Sequence, residues 1–108
     1  MIYLLRILSS IEKSDGTEEV SFLTRLGYTE DRYLKARVNE FIKYCPSTRL
    51  ICTIPGATYI HKKVLESKFK KYRYGNRIDW FYEDKDMVDE IKGLTLDDLD
   101  SMAKNNMP

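Results

Sequence analysis

Between His61 and Ile78 the chain sets seven Lys or Arg residues around a single acid, Glu66. Neighbouring cations favour the ionised form of a carboxyl group, and an ionised carboxylate is a hard oxygen ligand for a divalent ion. One such ligand can hold a metal whose shell is completed by water and a substrate phosphate, while the surrounding cations attract a nucleic-acid backbone. Those are the parts of a one-metal phosphodiesterase. The same spacing also has a plainer meaning, because Lys62 and Lys70 lie four residues to either side of Glu66. At that spacing helix-surface ion pairs worth roughly 0.3–0.5 kcal/mol form. The local sequence leaves both readings open.

Charge is segregated along the chain. The formal net charge is only +1, yet residues 57–78 sum to +6 and residues 83–108 to −5. Lys62, Lys63, Lys70 and Arg73, interleaved with Tyr72 and Tyr74, suit a nucleic-acid surface, although a run of cations also serves as a solvated helix face. His61 falls in the first turn of its helix, where the expectation is a solvated ring. The acidic end could act as a docking face that imitates a phosphate backbone.

The elements that must position these groups follow from periodicity. Residues 2–8 and 19–28 read as strands joined by a connection rich in Ser, Asp and Gly over Ser9–Glu18, hence an antiparallel hairpin. Tyr33, Leu34, Val38, Phe41 and Ile42 recur at helical spacing, with Thr29 expected to cap the first turn and Pro46 to end the helix. Thr48–Ile54 reads as a β-branched strand closed by Pro55-Gly56. Thr58 is expected to cap a second helix running to about Tyr72, with Ile60, Val64, Leu65 and Phe69 facing the core. Ile78–Tyr82 is a brief extended aromatic segment, with Trp80 and Phe81 as core anchors. Asp84 caps a helix through Met87, Val88 and Ile91, and Thr95–Asp98 resembles a capping box for a last helix, with fraying from Asn105 onward. The expected fold is α+β: a small, mainly antiparallel three-stranded sheet flanked by helices, in the order β-β-α-β-α-α.

Composition bounds the class. With 108 residues, 43% apolar and 32% charged, the chain has the size of one domain and an ordinary globular composition. No apolar run approaches a membrane span and the N-terminus lacks signal-peptide pattern, so an intracellular, cytoplasmic location is expected. Cys45 and Cys52 are too few for a disulfide framework, and with His61 alone they make no zinc site.

An ordered series of motifs resembles the GIY-YIG nuclease superfamily, in particular its phage and large-virus branch related to the meiotically up-regulated type of domain. Ile2-Tyr3-Leu4 stands at the first signature and Arg25-Leu26-Gly27-Tyr28-Thr29 at the second. A helix with Arg37 follows, then Leu50–Gly56 ending in Ile-Pro-Gly, then Val64-Leu65-Glu66 through Tyr74-Gly75-Asn76, and finally Asp79-Trp80-Phe81. The resemblance spans residues 1–92, leaving 93–108 as a short C-terminal helix and tail. It implies a metal-dependent endonuclease acting on DNA with one Mg²⁺ or Mn²⁺ held by Glu66. Arg37 would stabilise the transition state, Tyr3 and Tyr28 would position the nucleophile, and Arg25, Lys62, Lys63, Lys70, Arg73 and Asn76 would contact nucleic acid. A free phenol titrates near about 10, so a tyrosine base working at neutral pH needs roughly 4 kcal/mol of help from nearby positive charge. The chain departs from the pattern at two places: Arg25 occupies the second signature tyrosine, and Phe41 stands where relatives place a proton-transfer group, with Tyr44 one turn on. These departures define the alternative, a degenerate module that binds nucleic acid or a protein without cutting. A domain this small would draw specificity from a second copy of the chain or from an accessory protein.

Overall fold

In a computed structural model of the chain, which describes residues 1–105, the first two strands form a long hairpin. β1 (Ile2–Glu12) and β2 (Glu18–Tyr28) pair from Ile2 opposite Tyr28 to Glu12 opposite Glu18. The connection is therefore shorter than Ser9–Glu18: Ser9, Ser10 and Glu12 lie in the ladder, and only residues 13–17 turn. Asp15 accepts from the Thr17 N–H and hydroxyl at 2.9 and 2.6 Å, and Gly16 takes φ +83°, a left-handed conformation that favours glycine.

β3 (Arg49–Ile54) adds antiparallel to β1, and β4 (Trp80–Tyr82) adds antiparallel to β2, giving the order β3-β1-β2-β4. The α+β class stands, but the sheet has four strands rather than three. The aromatic segment supplies the fourth because Trp80, Phe81 and Tyr82 find ladder partners in Arg25, Thr24 and Leu23.

Strand alternation gives the sheet two faces. Ile2, Leu4, Leu26 and Phe81 join the main core, closed by Leu65 and Phe69, by Met87, Val88 and Ile91 of α3 (Lys85–Gly93), and by Leu99 of α4 (Leu96–Asn105). Leu99 is fully buried, so the last helix shares the core of the preceding strands. Tyr3, Leu5, Ile7, Leu23, Arg25, Gly27 and Trp80 occupy the opposite face, over which α1 (Leu34–Tyr44) lies with Leu34, Val38 and Phe41 half-buried. Tyr33 and Ile42, expected on the packed stripe, are exposed. Because α1 buries no residue completely, it covers this face loosely and leaves a cleft beside it.

Caps follow local chemistry, with one exception. Thr58 begins α2 (Tyr59–Lys68), Asp84 accepts from the Met87 N–H at 2.9 Å, and Thr95 and Asp98 bond each other's backbone N–H. Thr29 caps nothing: it is buried, its N–H bonds the Met1 carbonyl at 3.0 Å, and a 3₁₀ turn over Asp31–Tyr33 leads into α1. In α2, Ile60 is exposed and His61 is buried, the reverse of expectation. The His61 ring folds back so that Nδ1 accepts from the Thr58 N–H at 2.9 Å, and Nε2 donates to Asp100 of α4 at 2.7 Å. α2 stops at Lys68, and the 3₁₀ turn Lys70–Tyr72 continues the chain. Both cysteines are free and half-buried. α4 is regular through Asn105, and the fraying expected beyond it concerns residues 106–108, outside those described. Among the described residues no helix is long and apolar enough to cross a membrane.

Candidate active site

Tyr3 enters the site from the middle of the sheet. It is paired with Gly27, and its ring lies across the space where that residue has no side chain: a Cβ there would stand 2.5 Å from Tyr3 Cε2 and closer still to Cζ and Oη. The phenol oxygen accepts from Arg25 Nη1 at 3.2 Å. Arg25 Nη2 in turn donates to Asp79 at 3.0 Å, and the guanidinium stacks 4.7 Å above the Phe41 ring and 5.9 Å from that of Trp80. Arg25, placed on β2, is thus held by α1 from above and by the β4 segment from the side. Its charge is compensated by Asp79, and it donates to Tyr3 while lining the cleft described next.

Tyr3, Arg25, Tyr28, Arg37 and Lys62 line one cleft of about 400 Å³. Phe41 and Tyr44 form its α1 wall, and Tyr59 its mouth, packed edge-on against Tyr28 at 6.1 Å. Arg37 is exposed and 3.9 Å from Glu40, a surface ion pair that a ligand phosphate can displace. Tyr44 also reaches the cleft, although Phe41 occupies the nominal proton-transfer position.

Glu66 lies behind this cleft rather than in it. The residue is buried, and its carboxylate is paired with Lys62 Nζ at 3.0 Å, with side-chain exposures of 5% and 12%. It borders an adjoining recess of about 360 Å³ with Lys63, Asn76, Arg77 and Asp79, and Tyr59 and Lys62 border both spaces. The i,i+4 ion pair with Lys62 that the plainer reading expects does form, but it is buried rather than on the helix surface, and Lys70 is not part of it. Lys70 lies past the end of α2, too far round to be the second partner. The Tyr59 hydroxyl raises the Lys63 ammonium above the usual lysine range by hydrogen bonding, so this cation stays charged. Lys70 and Arg73 border neither space. Arg73 bridges to Phe81, with its Nε buried and unpartnered. Asn76 borders the recess, but the left-handed turn beside it belongs to Gly75, at φ +56°.

The recess combines hard oxygen donors with three cations, Lys62, Lys63 and Arg77. Glu66, Asp79 and the Asn76 amide offer hard oxygens, the type Mg²⁺ and Mn²⁺ take. Each carboxylate already has a protein cation, Lys62 for Glu66 and Arg25 for Asp79. An entering metal must take over that compensation. Among the described residues no three His, Cys, Asp or Glu side chains form a metal cluster. The sequence reading placed Asp79 in the Asp-Trp-Phe motif without giving it a role, and it named neither Tyr59 nor Arg77, which also border these spaces. No protein-family model, curated protein or solved structure matches the chain, so its own residues carry the functional reading.

Proposed function

We propose that the protein is an endonuclease that binds a DNA phosphodiester in the cleft beside α1 and hydrolyses it with one divalent ion held at Glu66. The observation that carries this reading is the convergence of Tyr3, Tyr28, Arg37 and Lys62 on one cleft, with Lys62 bonded to Glu66 of the adjoining recess. Arg37 offers a planar donor fork to phosphate oxygens as charge builds on them. Arg25 donates to Tyr3 Oη and so fixes the phenol oxygen at the cleft wall, where it can accept from an attacking water. When bound, the metal supplies Lewis-acid polarisation of the phosphate. Glu66 and Lys62 are themselves largely screened from water, which strengthens the attraction between them.

Plasmid nicking with Mg²⁺ or Mn²⁺ tests this. Glu66→Gln, which keeps volume and hydrogen bonding, should abolish nicking, and Arg37→Ala should reduce it by about a hundredfold or more. Thermal melts must show both variants folded. Nicking that survives Glu66→Gln refutes the mechanism. The buried Glu66–Lys62 pair and the Arg25 substitution favour a second reading, a module that binds nucleic acid without cutting. It is recognised by binding that weakens steeply with salt in the absence of cleavage.

A further inference from the structure

Beyond the phosphate cleft, the same sheet face carries a second recess, about 200 Å³, floored by Ile7 and Leu23 and walled by Ser9, Tyr74, Arg77 and Trp80. It is not isolated. Trp80 borders it while lying 5.9 Å from Arg25 of the phosphate cleft, and Arg77 borders both it and the recess containing Glu66. Tyr74 lies edge-on to Tyr82 at 5.3 Å and packs, with Trp80, against the Ile7–Leu23 cluster. An apolar floor, two aromatic side chains and one guanidinium, next to a cationic phosphate cleft, form a stacking platform for a flat heteroaromatic ring.

We propose that this recess receives an unpaired nucleobase of the strand whose phosphate occupies the cleft, which makes the substrate single-stranded or locally unpaired nucleic acid. This rests on the phosphodiester reading above and narrows its substrate class. A base inside a duplex presents only its edge to a protein, whereas contact with Trp80 and Tyr74 needs an exposed ring face. Arg77 suits the flanking phosphate or the base plane.

Trp80 is the sole tryptophan, so its fluorescence reports occupancy directly. The titration uses a short thymidine oligonucleotide and, separately, the same sequence as duplex, both in EDTA so that nothing is cut. The single strand should quench Trp80 and bind about tenfold more tightly than the duplex. Ser9→Phe, at a half-buried strand position on the recess wall, should remove the quenching and weaken single-strand binding by about tenfold, with a thermal melt showing that the variant folds. Arg37→Gln should weaken both nucleic acids alike. Single-strand binding that depends on Arg37 but neither quenches Trp80 nor responds to Ser9→Phe overturns the base recess and leaves the phosphate cleft standing. Equal quenching by duplex overturns the unpaired-strand assignment. No binding of either nucleic acid overturns this inference and the phosphodiester reading together.

Discussion

Gly27→Ala is the substitution for which geometry and ordinary strand chemistry predict opposite signs. Gly27 does not have a positive φ, so an alanine there meets no backbone strain. In an open strand position the change would stabilise by about 0.4–1 kcal/mol by restricting the unfolded chain. Here the new methyl would stand 2.5 Å from Tyr3 Cε2, inside a buried face where Tyr3 is 3% exposed. The ring must move, and the Arg25–Tyr3 hydrogen bond moves with it. Overpacking of this kind costs about 1–3 kcal/mol, equivalent to a fall in Tm of about 4–12 °C for a domain of this size. The cause is isolated by a double-mutant cycle followed by urea or thermal unfolding. In a Tyr3→Ala background the space is open, and Gly27→Ala should become neutral or slightly stabilising, a coupling of at least about 1 kcal/mol. Equal destabilisation in both backgrounds would refute the claim that Gly27 is there to seat Tyr3.

Thr58→Ala should lower stability by about 1 kcal/mol, or about 4 °C in Tm, because the His61 N–H at the start of α2 loses its acceptor; an unchanged melt would show the cap is idle. Asp98 is held below the usual carboxyl range by the Thr95 backbone N–H and then by the Thr95 hydroxyl. Its contribution is therefore complete above the ordinary carboxyl range and is lost as pH falls through the depressed value. Asp98→Asn should flatten that part of the acid-stability profile, and an unaltered profile would contradict it. Burial pushes the Cys52 thiol up, with Lys92 partly offsetting the effect. Cys52 should then be alkylated by iodoacetamide at neutral pH more slowly than a free thiol, followed by mass spectrometry, until the protein unfolds; free-thiol rates in the folded protein would refute its burial.

What the sequence disclosed was what neighbours decide. Thr58, Asp84 and the Thr95–Asp98 pair act within one helical turn, and each caps as its position predicts. The missed features depend on distant partners. Arg25 is fixed by Asp79, 54 positions away, and His61 is buried because Asp100, 39 positions away, meets its ring. β4 is three residues long, so only its pairing with β2 separates it from an extended loop. At Glu66 the sequence supplied two lysines at equal spacing, and the end of α2 at Lys68 decided between them. Tyr3, Tyr28 and Arg37, which the resemblance singled out, line one cleft, whereas Lys70 and Arg73 border neither it nor the adjoining recess.

The strand order β3-β1-β2-β4 also implies an order of assembly and of loss. The β1–β2 hairpin closes a short loop and can form early, whereas β4 joins only after the intervening chain has been brought round, at a larger entropic cost. Short edge strands open at lower free energy than central ones, so amide hydrogens of Trp80–Tyr82 should exchange ahead of those in the hairpin. Each such opening releases Asp79 from Arg25 and removes the Trp80 ring from beside the Arg25 guanidinium. Trp80 and Tyr82 flank the buried Phe81, so such an opening would also draw on the main core, while the hairpin stays paired.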